Sequence, residues 1–240
     1  MKDFNKPAGV LVKTTLVDYP GHVAAAIFLK GCNLRCPYCY NTGLVLNDES
    51  TDSLASINDL FNHLEKRSNV ISALAISGGE PLINPYLKDI IKKAKSMNMC
   101  VKMDTNGMLP DRLEELIKDP ALKPDFLAMD IKTSPLRYAQ TMLKTPMLSE
   151  SKVMADSLKK SASLLAQYPS NRREYRTVLV PTLIEEEDIK NIADILPKDA
   201  SWQFARFRNE NCLDPKFNNI PPYLDKDINR LINYAKSLIP

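Results

Sequence analysis

Apolar residues along the chain fall into two kinds of run that alternate. Short continuous runs at 23–29 and 70–76 read as strands buried on both faces. Shorter apolar stretches at 100–103, 126–131, 175–180 and 201–207 continue the series. Between them, apolar positions recur at helical spacing. Such sets are Ile57, Leu60, Phe61 and Leu64, then Leu87, Ile90, Ile91 and Ala94. Residues 110–117 and 153–168 read as helices too. Ile189, Ile192, Ala193 and Leu196 mark the next, and Ile228, Leu231, Ile232, Ala235 and Leu238 a terminal one. Ser56 to Asp59 reads as a capping box. Asn84 is the expected N-cap of the following helix, with Pro85 at its first position. Residues 8–21 read as a hairpin or edge strand followed by a turn. Periodicity is weak over 135–150, which reads as loop or lid.

Strand, loop and helix thus recur about six times, which argues for an α/β fold with a parallel sheet. Six such units form either an open doubly wound sheet or an incomplete barrel, and both place chemistry beyond the C-terminal strand ends. The expected organisation is one domain over 1–240, with an N-terminal hairpin or extension at 1–22 and a C-terminal loop and helix at 208–240. A length of 240 residues, 44% hydrophobic and 25% charged, fits a globular protein with a full core. The net charge of +3 gives no warrant for a nucleic-acid partner. No run is long enough to span a membrane, and the N-terminus lacks a signal peptide's apolar core, so the expected location is the cytoplasm. Only two histidines are present, His22 and His63, which argues against a His-rich metal or acid–base site.

Three of the five cysteines, Cys32, Cys36 and Cys39, lie in the loop after the first buried strand, spaced C-x3-C-x2-C. Clustered thiols in a cysteine-poor chain read as a metal site. Soft sulfur ligands select zinc or an iron–sulfur cluster. A structural zinc site wants four protein ligands, and no fourth Cys or His lies nearby in sequence. Other unusual residues fall at strand ends. Gly78-Gly79-Glu80 follows the second strand, and Asp104 to Gly107 the third. Asp130 and Lys132 end the fourth, and Arg176 opens the fifth. Charged residues emerging from apolar strands must pair or face a ligand. Gln203 and Arg206 are weaker candidates. Cys100 reads as a packed strand residue and Cys212 as an exposed loop residue.

Taken together, these motifs resemble radical S-adenosylmethionine (SAM) enzymes of the glycyl-radical-activating group. Within that group the pattern is most similar to activators of anaerobic ribonucleoside-triphosphate reductase. It rests on Thr15 to Gly21, the cysteine loop, Ser77 to Leu82, Asp104 to Gly107, Asp130 to Lys132, Arg176 with Val180-Pro181, and 203–215. The resemblance implies a partial (β/α)6 barrel, a 4Fe–4S cluster on Cys32, Cys36 and Cys39, and SAM. It implies Tyr38 near the adenine and Gly78, Gly79 and Glu80 at the methionine amino group. Asp104, Asp130 and Lys132 would surround the methionine carboxylate, with a monovalent cation, and Arg176 would contribute from the fifth strand. The implied partners are a glycyl-radical enzyme and a flavodoxin- or ferredoxin-type electron donor. Position 40 is Tyr, where activating enzymes often carry His. Three alternatives stay open: an activase of another glycyl-radical enzyme or a small-molecule radical SAM enzyme such as a deazaguanine synthase; a non-catalytic iron–sulfur electron carrier; and a zinc-stabilised binding protein.

Overall fold

A computed structural model describes residues 2–46, 54–145 and 148–239. Its strands are β1 (Pro7–Thr15), β2 (Ala24–Leu29), β3 (Leu54–Ser56), β4 (Ala73–Gly78), β5 (Cys100–Thr105), β6 (Phe126–Asp130), β7 (Arg173–Leu179) and β8 (Trp202–Arg206). Its helices are α1 (Thr42–Leu46), α2 (Ile57–Lys66), α3 (Leu87–Ser96), α4 (Pro110–Lys118), α5 (Tyr138–Met142), α6 (Ser151–Leu165), α7 (Glu186–Ala193) and α8 (Asp225–Leu238). The strand order is β3-β1-β2-β4-β5-β6-β7-β8. The six expected strands are β2, β4, β5, β6, β7 and β8. Residues 8–21 and 54–56 add antiparallel β1 and β3 at the β2 edge. This is the α/β, mostly parallel architecture expected from the alternating pattern.

The chain divides into two compact units. The first holds 1–33, 43–105 and 111–127; the second holds 34–42, 106–110 and 128–240.

In the first unit β2 runs parallel to β4 from Ala24↔Ala73 to Leu29↔Gly78. Alanines line both strands and are buried, so the layers above and below can approach closely. The capping box is present. Ser56 Oγ accepts the Asp59 N–H at 3.1 Å, and Asp59 Oδ2 accepts the Ser56 N–H at 2.9 Å. Leu60 and Leu64 of α2 and Ile90, Ile91 and Ala94 of α3 are buried, as their spacing predicts. Helix α3 begins at Leu87, not at Pro85. Asn84 Oδ1 accepts the Tyr86 N–H at 2.9 Å in the turn that leads into the helix.

The second unit contains β7 and β8, paired in parallel from Tyr175↔Trp202 to Leu179↔Arg206. The Ile131 N–H donates to the Arg176 carbonyl at 2.8 Å, tying the end of β6 to β7. Residues 135–142 are regular structure, not irregular loop. They form a 3-10 turn (Pro135–Arg137) and then α5, and Pro135, Tyr138, Ala139 and Met142 are buried. Five residues give too short an apolar stripe to register as a period, yet they pack against α6.

Two glycines at the end of β4 hold the first unit's site side together. A β-carbon on Gly78 would lie 2.3 Å from the Leu29 nitrogen, and one on Gly79 would lie 1.9 Å from the Gly31 oxygen. Gly78 also has φ +117, a backbone region closed to most side chains. Replacing Gly79 by Ala is expected to cost about 2–3 kcal/mol through overpacking against backbone. Gly21→Ala, with open space around its β-carbon but φ +83, should cost about 1–2 kcal/mol through backbone strain alone. Urea unfolding midpoints of the two variants and the wild type check this; a Gly79→Ala midpoint at the wild-type value would show that the Gly79 contact relaxes freely.

Candidate active site

Expected site residues in the first unit gather where β2, β4 and β5 end. The Gly79 N–H donates to the Leu29 carbonyl at 2.9 Å, and the Glu80 N–H to the Gly31 carbonyl at 2.8 Å. The Gly-Gly pair is therefore spent on bringing β4 against the start of the cysteine loop. A β-carbon on Gly79 would lie 3.2 Å from Cys32 Cβ. Glu80 is fully buried, and its carboxylate accepts the Leu82 N–H at 3.1 Å and the Thr105 hydroxyl at 3.0 Å. Asp104 Oδ2 accepts the Ser77 hydroxyl at 2.8 Å. Its Oδ1 lies 3.6 Å from the ammonium of Lys102, a buried residue that sequence reading passed over. Lys102 also donates to the Asp18 carbonyl at 2.9 Å and sits 5.6 Å from the Phe126 ring centre. Its signal was spacing: Lys102 and Asp104 share one face of β5.

The second unit brings together Cys36, Tyr38, Asp130, Lys132 and Arg176. Asp130 accepts from Arg176 Nε at 2.8 Å and from Lys132 Nζ at 3.3 Å. Arg176 also lies 3.5 Å from Glu174. Burial raises the Asp130 carboxyl, but Arg176 and then Lys132 outweigh it and hold the group well below the usual carboxylate range. Burial opposes the charge of Lys132, yet Asp130 keeps its ammonium protonated. Tyr38 is buried, and its hydroxyl has no hydrogen-bond partner among the described residues. Its ring meets Phe207 edge-on at 6.4 Å.

Cys212 is buried, not exposed. The segment 207–214 folds back over the cysteine loop: the Leu213 N–H donates to the Cys39 carbonyl at 2.9 Å and the Asp214 N–H to the Pro37 carbonyl at 2.8 Å. Burial, then the neighbouring Cys39, push the Cys212 thiol up. Gln203 and Arg206 lie on exposed positions. Arg206 pairs with Asp225, and Gln203 donates to Ser201 at 3.3 Å. Tyr40 is exposed. Cys100 packs in the first unit beside Tyr19, Ala24 and Ala73, as a strand residue should.

All five cysteines are free thiols. Three in one short loop, with an orphaned buried hydroxyl on Tyr38 between two of them, suit a sulfur-ligated group that also brings a hydrogen-bond acceptor. Among the described residues no group of three or more His, Cys, Asp or Glu is gathered for a metal ion. The carboxylates expected near a monovalent cation pair instead with protein cations, and nothing in the structure supports that ion.

The model of the radical SAM superfamily matches residues 26–196, and the chain belongs to that superfamily. Membership implies SAM and a 4Fe–4S cluster. A Methanocaldococcus jannaschii protein named a glycyl-radical enzyme activating enzyme is 29% identical over 95% of this chain and 91% of its own length. The pyruvate formate-lyase-activating enzyme of Clostridium pasteurianum is 31% identical over 49% of this chain and 48% of its own. A 7-carboxy-7-deazaguanine synthase of Hyperthermus butylicus is 31% identical over 38% of each chain. Among solved structures, Streptococcus suis SuiB bound to S-adenosylmethionine aligns over 87% of this chain with a TM-score of 0.57 at 19% identity. The chain spans 45% of that structure, and the likeness is one of fold.

Removing the Asp130 charge tests the ionic cluster. Asp130→Asn leaves Lys132 and Arg176 without their shared counter-ion and should cost about 1–2 kcal/mol, less than a fully buried pair because these groups are partly exposed. The wild-type carboxyl is held below its unfolded value of about 3.9, so its contribution is present above that pH and fades only as pH falls toward the folded value. Urea unfolding of both proteins should show a constant gap between about pH 5 and 8 that narrows below about pH 4.

Proposed function

We propose that this chain is a radical SAM activase that creates the glycyl radical of a partner enzyme, and that the partner is anaerobic ribonucleoside-triphosphate reductase. The observation that carries the first part is the similarity to the Methanocaldococcus protein, which runs nearly end to end in both chains, whereas the Clostridium and Hyperthermus proteins match about half or less. The second part is supported by the two segments whose sequence most resembles reductase activators. One, 15–21, is braced by Thr15 Oγ1 donating to Asp18 at 2.6 Å and by Lys102 on the Asp18 carbonyl. It presents Leu16 and Val17 to solvent, 70% and 81% exposed. The other, 203–215, includes the clasp over the cysteine loop.

Cys32, Cys36 and Cys39 would hold the cluster. Lys132, Asp130, Asp104, Glu80 and the Gly78-Gly79 backbone would hold the amino-acid end of SAM, with Tyr38 beside the adenine and Arg176 steadying Asp130. When bound, the cluster and SAM supply a one-electron cleavage that yields a 5′-deoxyadenosyl radical able to take hydrogen from a glycine. The chain's own residues bind and orient. A flavodoxin- or ferredoxin-type protein would deliver the electron.

The test is electron paramagnetic resonance on anaerobically reconstituted, reduced protein mixed with SAM and the reductase. A glycyl-radical doublet on the reductase is expected, and Cys36→Ala should give neither doublet nor 5′-deoxyadenosine. Formation of 5′-deoxyadenosine without a doublet would keep the radical chemistry and reject this partner. Neither product from wild-type protein with an intact cluster would overturn the activase reading.

A further inference from the structure

The turn at 135–137 and α5 reach two parts of the second unit's site from one buried position. Tyr138 is fully buried, and its hydroxyl oxygen accepts the Lys132 N–H at 2.6 Å, closing the turn after β6. At the other end of α5, the Met142 carbonyl accepts the Arg35 N–H at 2.8 Å, one residue before Cys36. A single short helix thus ties the Asp130–Lys132 turn to the cysteine loop.

The Tyr138 phenol accepts this bond, but its own O–H donates to no described residue. The Tyr38 hydroxyl has no partner at all among them. Tyr138 stands on α5 against the Lys132 turn, and the same helix holds Arg35, the neighbour of Cys36 and three residues before Tyr38. A buried donor without an acceptor is costly and rare in folded proteins. Two of them beside a thiol and an ammonium mark a place where an acceptor-bearing group binds. The ammonium favours an anionic one.

We propose that Tyr38 and Tyr138 are binding residues whose phenol groups donate hydrogen bonds to an anionic acceptor held beside Cys36 and Lys132, and that Tyr138 also positions the cysteine loop against the Lys132 turn. The inference rests on the cysteine loop being a cluster site. Within it, the acceptor has two sources of the same chemistry: sulfur of the cluster and its thiolates, or the carboxylate of SAM.

Tyr38→Phe and Tyr138→Phe separate them. The Tyr38 hydroxyl makes no protein hydrogen bond, so cluster-free Tyr38→Phe should melt no lower than wild type. If the carboxylate accepts, SAM should bind the reconstituted variants roughly tenfold or more weakly, with the cluster potential unchanged. If sulfur accepts, the cluster's reduction potential should fall, because lost donors disfavour the more negative reduced state, with SAM affinity unchanged. Wild-type SAM affinity and wild-type potential in both variants would overturn the proposal, as would a change in melting temperature alone. Tyr138→Phe also loses the Lys132 contact; should it fail to fold, Tyr38→Phe decides by the same readouts. Iron content and SAM binding of the wild-type protein are measured first. Their absence would defeat the cluster assignment itself, a failure distinct from that of the two phenols.

Discussion

The close approach of backbone to backbone at the end of β4 is the constraint from which the first unit's site side follows. Strands β2 and β4 run in register to Leu29↔Gly78, and the next residues leave no room for a β-carbon between them. Two N–H groups, of Gly79 and Glu80, are paid off there by the carbonyls of Leu29 and Gly31. A loop entering beside a strand end at this distance starts in a fixed direction, which fixes where Cys32 begins the cysteine loop. Glu80 is then drawn fully inside, where an isolated carboxylate would be expensive, and it persists because Leu82 and Thr105 supply donors.

The second unit solves a similar problem with charge. Asp130 emerges from a buried apolar strand, and its charge is tolerable only because Arg176 and Lys132 meet it. Lys132 in turn is held by main chain as well as side chain, since Tyr138 takes its N–H. The C-terminal segment contributes through backbone donors, from Leu213 and Asp214 to the carbonyls of Cys39 and Pro37. Within each unit the candidate residues are therefore held by main-chain hydrogen bonds before any side chain meets a ligand. Preorganised polar groups of this kind serve a bound cofactor without rearranging when it arrives.

Local chemistry was legible in the sequence wherever the cause is local. The Ser56–Asp59 capping box, the apolar stripes of α2 and α3 and the doubly buried β2 and β4 were all read from a few neighbouring residues. The α/β architecture followed from their alternation. Asn84 shows the limit of that reasoning. A cap signal and a side-chain turn use the same residue type, and only the surrounding chain decides between them. Tyr138, Lys102 and Cys212 were missed for a different reason. Each owes its place to partners distant in sequence: Tyr138 to the cysteine loop through α5, Cys212 to a clasp over Cys39, and Lys102, beyond its local pairing with Asp104, to the Asp18 carbonyl. Nothing within ten residues of Cys212 announces that it is buried. The Gly78-Gly79 pair was noticed, but its packing role against Leu29 and Gly31 is a tertiary fact.

The two histidines each meet partners in the first unit. His63 Nε2 donates to the Lys13 carbonyl at 2.7 Å, and the His22 ring lies 3.3 Å from the Ser72 hydroxyl and against Tyr19. Both are engaged in structural contacts of the first unit. The polar groups gathered at the strand ends are fixed charges already paired, such as Asp130 with Arg176, and buried donors such as the phenols of Tyr38 and Tyr138. A carboxyl held far below neutrality is a poor base, and an ammonium kept protonated by its neighbour is a poor acid near pH 7. Such a set is suited to holding anionic and zwitterionic groups rather than to shuttling protons at neutral pH. A radical SAM enzyme asks for that division of labour: the cofactors carry the reactive step, and the protein holds them still.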